Sequence, residues 1–437
     1  MPPPLRIGIA GLGTVGAAVI MLLCRQAEAL RRRTGRQIAI AGVSACHKAK
    51  QRGIDLASFA WFDDCVALAR SPGIDLFVEL IGGEEGAALA AAEAALDVGK
   101  SVVTANKALL AKHGMRLASL AEEKGVALAF EASVAGGIPI VKTLRDDLAG
   151  NSIERVYGIL NGTCNYILTR MEQESLSFAD CLKEAQKLGY AEADPSFDVG
   201  GHDTAQKLSI LASLAFGTKV DQAAVYVEGI SSITLADLDA AAELGYRVKL
   251  LGVAVRTDAG IEQRVHPTMV PKESAIAQVM GVTNAVTVDA AGLSPITLVG
   301  PGAGGMATAS AVVSDLADIA RGVRTPPFGQ PAARMTAVRK APMQRHEGGY
   351  YIRLMARDRP GSAATIARRL AQRQISLESI VQRHETRSQD AGKSGDPVPV
   401  ILITYATTED AVHKALAAVR RDRVISGRPQ VIRIEKN

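Results

Sequence analysis

The chain has 437 residues, 48% apolar and 22% charged, with a net charge of +5. That length holds two or three domains, and no apolar run reaches the length of a membrane span. An aromatic content of 4% and so small a net charge exclude a dense basic, base-stacking surface for nucleic acid. The opening MPPPLRIGIAGLG enters a strand at once, leaving no room for a secretory or transit segment. Five cysteines, at 24, 46, 65, 164 and 181, form no C-x-x-C pair and are odd in number. A cytoplasmic protein without a disulfide framework is expected.

In chain order, Leu5–Ala10, Gln37–Ser44, Asp75–Ile81, Ser101–Ala105 and Val126–Glu131 read as strands. Helical stretches alternate with them, Glu84–Val98 and Ala108–Lys124 being the clearest, so residues 1–132 predict a parallel sheet covered on both faces. From 133 to 302 the pattern turns to mixed α+β. Helical stretches at 163–188 and 203–216 precede strand-like runs at Arg247–Arg256, Ile261–Val270 and Ala285–Ala290. A helix within 303–321 is expected to return to the first domain. Residues 322–349 carry Pro326, Pro327, Pro331 and Pro342 and read as a linker. Beyond it, 350–437 gives the order βαββαβ, read as a small independent domain. Residues 346–437 hold 16 Lys and Arg against 10 Asp and Glu, a surplus taken as surface charge.

Gly11-Leu12-Gly13-Thr14-Val15-Gly16 is a G-x-G-x-x-G between a strand and a helix, the context of a Rossmann dinucleotide site. Gly11 permits the turn, Gly13 lets backbone approach a pyrophosphate, and Gly16 lets helix pack on strand. The second strand ends in Ser44-Ala45-Cys46-His47-Lys48, with Lys50 and Arg52 beyond, and offers no carboxylate for a ribose 2′-hydroxyl. Cations there, Lys48 among them, favour the 2′-phosphate of NADP, with NAD an alternative and a merely solvated loop the plain reading.

The segment Leu188–Leu211 gathers Glu192, Asp194, Asp198 and Asp203 ahead of a helix whose apolar face is Leu208, Leu211, Ala212 and Ala215. Asp203 near the helix start suits a cap, and Lys207 lies one turn on along the same side. Alone, this is an acidic surface loop followed by a helix salt bridge. With a dinucleotide site and a second lysine, Lys107, in the same chain, it becomes a candidate catalytic centre.

Six stretches resemble the homoserine dehydrogenase family in the family's order. They are GLGTVG (11–16), VTANKALLA (103–111), EASVAGGIPI (131–140), GILNGTCNYILTRM (158–171), LGYAEADPSFDVGGHDTAQKL (188–208) and GPGAGG (300–305). Residues 350–437 resemble an ACT domain, a module that commonly binds amino acids. No aspartate kinase portion precedes the first strand, so the resemblance implies a monofunctional enzyme. It implies an α/β fold with an N-terminal Rossmann domain, an α+β substrate and dimerisation domain, and a C-terminal ACT-like domain. It further implies interconversion of L-aspartate 4-semialdehyde and L-homoserine, in threonine and methionine biosynthesis, by a homodimer or homotetramer.

Position by position, the resemblance places Lys207 and Lys107 beside the reacting carbonyl, and Glu192 and Asp203 on the substrate ammonium. Asn161, Gly162, Thr163 and Tyr190 would line the substrate pocket, while Gly189 and Gly304 would approach the cofactor. Glu131, Val134, Gly136 and Ile138 would give oxygens to a monovalent cation such as Na+ or K+. Threonine is the expected effector. The turn Ser362-Ala363-Ala364 and a polar loop at 385–397 depart from the family's ACT pattern.

The chemistry also follows from the residue types. An ammonium beside the carbonyl stabilises the negative charge that hydride addition creates and delivers a proton. Two ammoniums in one cleft also favour loss of a proton from one of them. Carboxylates discriminate against aldehydes lacking an ammonium. Rival readings are a phosphorylating aldehyde dehydrogenase with Cys164 as nucleophile, a hydroxyacid dehydrogenase with a C-terminal ACT domain, and a non-catalytic amino-acid sensor.

Overall fold

The computed structural model describes residues 2–343, 346–382 and 397–435. The strand Leu5–Ala10 is buried at five of its six positions and runs through the middle of a six-stranded sheet. The order across it is Ala60–Phe62, Ile38–Ser44, Leu5–Ala10, Leu76–Glu79, Ser101–Thr104 and Leu128–Ala129, every neighbour parallel. The chain order reverses beside the first strand, and that switch point opens a crevice at the strands' carboxyl ends. Helix Gly305–Ala320 packs through Ala309, Val312 and Leu316 into the same core as Val19 and Leu23 of helix Thr14–Thr34. Strand Ala60–Phe62 escaped sequence reading because three residues hold too little alternation to register.

The stretch read as one helix at 163–188 is two, Gly162–Glu174 and Phe178–Lys187. Ser175 turns left-handed, with φ 53°, and the Ser177 side chain accepts from the Asp180 N–H to start the second helix. Ile153–Ile159 and Ile296–Pro301 are further strands of a large mixed sheet. Its order begins Ile296–Pro301, Thr283–Ala290, Ile153–Ile159, Tyr246–Thr257, Gly260–Pro271.

That sheet does not stop at the C-terminal βαββαβ unit. It continues through Ile425–Ile434, Glu347–Arg357, Pro397–Thr404 and Leu377–Gln382, nine strands in line, and the short strands Tyr226–Val227 and Thr407–Thr408 pair beside it to make eleven among the described residues. Gly260–Pro271 and Ile425–Ile434 run parallel, with Thr268 beside Arg433 and Met269 beside Ile434. The C-terminal unit keeps a core of its own, with Tyr350, Ile352, Leu354, Ile366, Val412 and Leu416, while its sheet joins that of the middle domain edge to edge. The expected linker is also packed down. Phe328 is buried against Phe130 with ring centroids 5.0 Å apart, and the Ala332 N–H donates to the Glu122 carboxylate at 2.9 Å. The Lys219 main-chain N–H donates to the Thr336 carbonyl at 2.8 Å, and that of Ile261 to the Arg339 carbonyl at 2.8 Å. Prolines leave room there for no more than the single 3-10 turn Ala332–Arg334, yet they leave carbonyls free to bind sideways. The polar loop expected at 385–397 lies, up to Asp396, outside the described residues.

The seam between the two parts of the sheet is ionic. Arg433, 2% exposed, donates to Glu228 at 2.6 Å and to Glu409 at 2.6 Å, while the Tyr350 hydroxyl donates to Glu409 at 2.9 Å. Tyr351 and Arg353 both donate to the buried Asp237, at 3.0 and 2.7 Å. Burial alone would raise the Glu409 carboxyl, but bonds from His413, Arg433 and Tyr350 hold it down at about 2. Glu409 thus stabilises the fold above the ordinary carboxylate range, and that contribution fades as pH falls toward 2. Arg433→Ala should cost about 3–5 kcal/mol by taking the guanidinium from the buried Glu409 and leaving it only His413 and the Tyr350 hydroxyl. Thermal melts at pH 7 and pH 3 check this. A clear loss of Tm at pH 7 that narrows at pH 3 is expected, and an unchanged Tm at pH 7 would refute the seam's importance.

Candidate active site

The glycine-rich turn is built by contact. Gly11 has φ 95°, and a Cβ on it would lie 2.2 Å from the Leu80 carbonyl oxygen. A Cβ on Gly16 would lie 2.0 Å from that of Gly11. In front of Gly13 a side chain would meet nothing within 4 Å, and helix Thr14–Thr34 has no side-chain cap there. Free N–H groups thus face open space, a cradle that fits a pyrophosphate. Gly11, Leu12 and Gly13 line a cleft of about 430 Å³ with Ser44, His47, Lys50 and Arg52. Arg52 ties the basic loop to the turn, donating to the carbonyls of Leu12 at 3.1 Å and Lys50 at 2.7 Å. Lys48 does not line this cleft. Its ammonium sits 5.8 Å from the Trp61 ring centroid. Two carboxylates do border the cleft, but Asp64 accepts from Val66 and Ala67 and Asp63 accepts the Trp61 indole N–H. Thr14 is exposed at the first helical position, and Val15 faces a second cavity.

That second cavity, about 270 Å³, shares Leu80 and Ile81 with the cleft. Its far end shares Lys107, Lys207, Gly302 and Ala303 with a third cavity of about 710 Å³. The three make one passage from the glycine turn to a polar pocket, with the two lysines at the last junction. Buried Glu79, which sequence reading passed over, shapes its wall. It accepts from the Ile81 and Gly82 N–H groups at 2.7 and 3.0 Å and from the Thr104 hydroxyl at 2.5 Å.

Asp203 lies between the lysines. Lys207 donates to its Oδ2 at 2.8 Å and to the Leu160 carbonyl at 2.7 Å, while Lys107 Nζ is 3.2 Å from its Oδ1. Asn161 adds a bond to Oδ2 at 2.8 Å. Burial pushes the Asp203 carboxyl up, yet the charges of Lys207 and Lys107, with bonds from Lys207 and Asn161, pull it down to about 2. The expected cap is corrected. Gly201 is the N-cap of helix His202–Phe216 and no side chain caps it, because Asp203 turns inward to the lysines. The ammoniums meet through a shared anion and do not simply face one another.

The polar pocket gathers Asn161, Gly162, Thr163, Gly189, Tyr190 and Gly304 beside Lys107, Asp203 and Lys207. Thr163 donates to the Tyr190 carbonyl at 2.6 Å, and the Tyr190 ring stacks edge-on to Tyr166, 5.1 Å between centroids. Glu192 is exposed and does not line this pocket. The carboxylate that does is Asp198, which accepts from Asn161 at 2.8 Å. Burial, then repulsion from Asp203, raises its pKa. Asp198 stood among the acidic residues of the sequence, but spacing in a loop does not say which carboxylate turns inward. Cys164 is fully buried, its Sγ 3.2 Å from the Asp198 carbonyl oxygen, and burial pushes its thiol well above the ordinary range. A thiolate nucleophile is not available there.

The loop 131–138 borders the middle cavity through Ala132, Ser133, Ala135 and Gly136. Glu131 is buried, with its carboxylate oxygens accepting from the N–H groups of Val141 and Lys142, each at 2.9 Å. Burial and the Asp315 charge raise it to about 7. The Ile138 carbonyl accepts from Ile140 at 2.8 Å, and Val134 is buried. No described helix is long and apolar enough to cross a membrane.

Family models match at residues 11–131 (homoserine dehydrogenase, NAD binding domain), 139–317 (homoserine dehydrogenase) and 350–422 (ACT domain). Homoserine dehydrogenases of Neisseria gonorrhoeae and Pseudomonas aeruginosa are 43% and 44% identical, each covering 99% of both chains. A crystal structure of a homoserine dehydrogenase from Thiobacillus denitrificans superposes with TM-score 0.92 at 42% identity, over 99% of this chain and 98% of that one. A hyperthermophilic archaeal homoserine dehydrogenase in complex with NADPH matches 74% of this chain and 99% of its own, with TM-score 0.63 at 26% identity. A Rossmann cleft opening onto a lysine–aspartate–lysine junction, with three family models in order and full-length relatives above 40% identity, makes this chain a member of the homoserine dehydrogenase family.

Proposed function

We propose that this enzyme interconverts L-homoserine and L-aspartate 4-semialdehyde, using NADP(H) and Lys207 as acid/base. The observation that carries this reading is the junction itself, where Lys107, Asp203 and Lys207 stand between the dinucleotide cleft and the polar pocket. A nicotinamide in the middle cavity would supply or take the hydride. In the reductive direction negative charge grows on the aldehyde oxygen, where the Lys207 ammonium meets it and gives a proton. In the oxidative direction Lys207 Nζ receives the hydroxyl proton. Lys107 steadies the same oxygen, and Asp203 holds both Nζ atoms in place. Asp198 and Asp203 would meet the substrate ammonium, with Glu192 joining if its loop folds inward on binding.

NADP is favoured because His47, Lys50 and Arg52 line the cleft beyond the second strand while both nearby carboxylates are already bonded. The NADPH complex of the archaeal relative supports the same choice. A spectrophotometric assay of homoserine oxidation tests both points. NADP should give the higher kcat/KM, and Lys50→Ala with Arg52→Ala should erode the preference. Preference for NAD in the wild type would overturn the basic-loop reading. Lys207→Ala should lower kcat at least about a hundredfold with little change in cofactor binding. A variant keeping more than half of the wild-type kcat would remove Lys207 from the chemistry.

A monovalent cation at Glu131, Val134, Gly136 and Ile138 is inferred from the resemblance alone. The Glu131 carboxylate is committed to two N–H groups, so the loop's main-chain oxygens are the donors on offer. Activity that ignores replacement of K+ and Na+ by a bulky organic cation would dispose of it.

For the C-terminal unit we infer binding of an amino acid, most simply threonine, that lowers activity. Its sheet is continuous with that of the substrate domain, and Arg433 reaches Glu228. Two residues on, Ile230 donates to the Val199 carbonyl, next to Asp198. A coupling of about 1–3 kcal/mol would be ordinary for such an arrangement. Calorimetry and assay with millimolar threonine should show binding and inhibition. Neither effect would leave the unit a purely structural extension.

A further inference from the structure

Glu79 ends strand Leu76–Glu79 and is fully buried, with Ala10 beside it on one flanking strand and Thr104 on the other. Each of its bonding partners is a donor. The Ile81 and Gly82 N–H groups reach Oε1 at 2.7 and 3.0 Å, and the Thr104 hydroxyl reaches Oε2 at 2.5 Å. Only a side chain that accepts at both ends satisfies all three, which selects a carboxylate over an amide. A carboxylate buried on neutral donors is costly unless every bond is made, and here the bonds close a ring.

The ring continues through Thr104. Its proton goes to Glu79, so its lone pairs turn to the Asn106 N–H, which it accepts at 3.0 Å. The Asn106 side chain accepts from Leu109, capping helix Lys107–Glu123, and donates to the Gly83 carbonyl at 2.6 Å. Gly83 follows Gly82, and the circuit is back at Glu79. Both glycines take left-handed φ, 84° and 87°, so the loop relies on these bonds for its shape.

The middle cavity is walled by what this circuit holds, Ile81 and Gly82 on one side and Asn106 and Lys107 on the other. Lys107 directly follows the cap, and its Nζ lies 3.2 Å from Asp203 Oδ1. Its side chain is 33% exposed, so its aim depends on where the helix starts. Glu79 does not line the cavity, and any effect it has on the chemistry passes through its neighbours.

We propose that Glu79 is a positioning residue, which through Thr104 and Asn106 fixes the helix start from which Lys107 reaches the reacting oxygen. This rests on the functional reading above, in which Lys107 steadies that oxygen. The test measures homoserine oxidation by the intact enzyme over a range of homoserine at saturating NADP. Glu79→Gln keeps the outline but turns an amide N–H toward a donor, so kcat should fall about tenfold with homoserine KM little changed. Thr104→Val should do the same, while Thr104→Ser, which keeps the hydroxyl, should recover most of the loss. A double-mutant cycle separates positioning from general damage. In a Lys107→Ala background, Glu79→Gln should lower kcat no more than about twofold further, because the group it positions is gone. If the glutamine variant does not fold, the same cycle with Thr104→Val decides the matter.

The same fold loss in both backgrounds would overturn the assignment, as would wild-type kcat in Glu79→Gln and Thr104→Val. A wild-type kcat in Lys107→Ala alone would instead sink the functional reading of Lys107, and this inference with it.

Discussion

One buried carboxylate holds the site together. Asp203, 4% exposed, binds Lys207 from its own helix, Lys107 from the first turn of helix Lys107–Glu123, and Asn161 from the cap of helix Gly162–Glu174. Three helices converge on two oxygens. Taking a carboxylate and an ammonium out of water is expensive, so such a cluster is weak evidence for stability and better evidence for placement. Two ammoniums beside one anion leave it ionised down to about pH 2 and put two cations at the junction of the passage, where an aldehyde oxygen would gain its negative charge.

The same economy of contact shapes the larger architecture. The C-terminal unit shares a sheet with the substrate domain, and the proline-rich strap is hydrogen-bonded along its length to both the first helical layer and the mixed sheet. Ion pairs at Arg433 and Asp237 fill the seam where the two halves of the sheet meet. A ligand that shifts the C-terminal helices would act on Ile425–Ile434 and, through it, on the strand bearing Arg264 and His266.

Much of this was legible in the sequence wherever the signal was local. The strand Leu5–Ala10 matches its expected bounds, and helix His202–Phe216 starts within one residue of expectation, because apolar periodicity and glycine placement act over a single turn or strand. The motif at 11–16 likewise carries its own geometry. What stayed hidden depends on distant pairing. Ile425–Ile434 lies more than 150 residues from the strand it joins, and nothing in either segment names its neighbour. Asp198 and Glu192 look alike in a turn-rich loop, and only the fold turns one of them inward.

We propose that Asp203 governs the chemistry by holding both lysines and is more than a binding contact for the substrate. The most direct measurement is kcat for homoserine oxidation by Asp203→Asn at saturating homoserine and NADP. The account predicts a fall of at least about a hundredfold, since an uncharged amide cannot balance two ammoniums or fix Lys207 against the reacting oxygen. A variant with wild-type kcat and only a raised homoserine KM would contradict it.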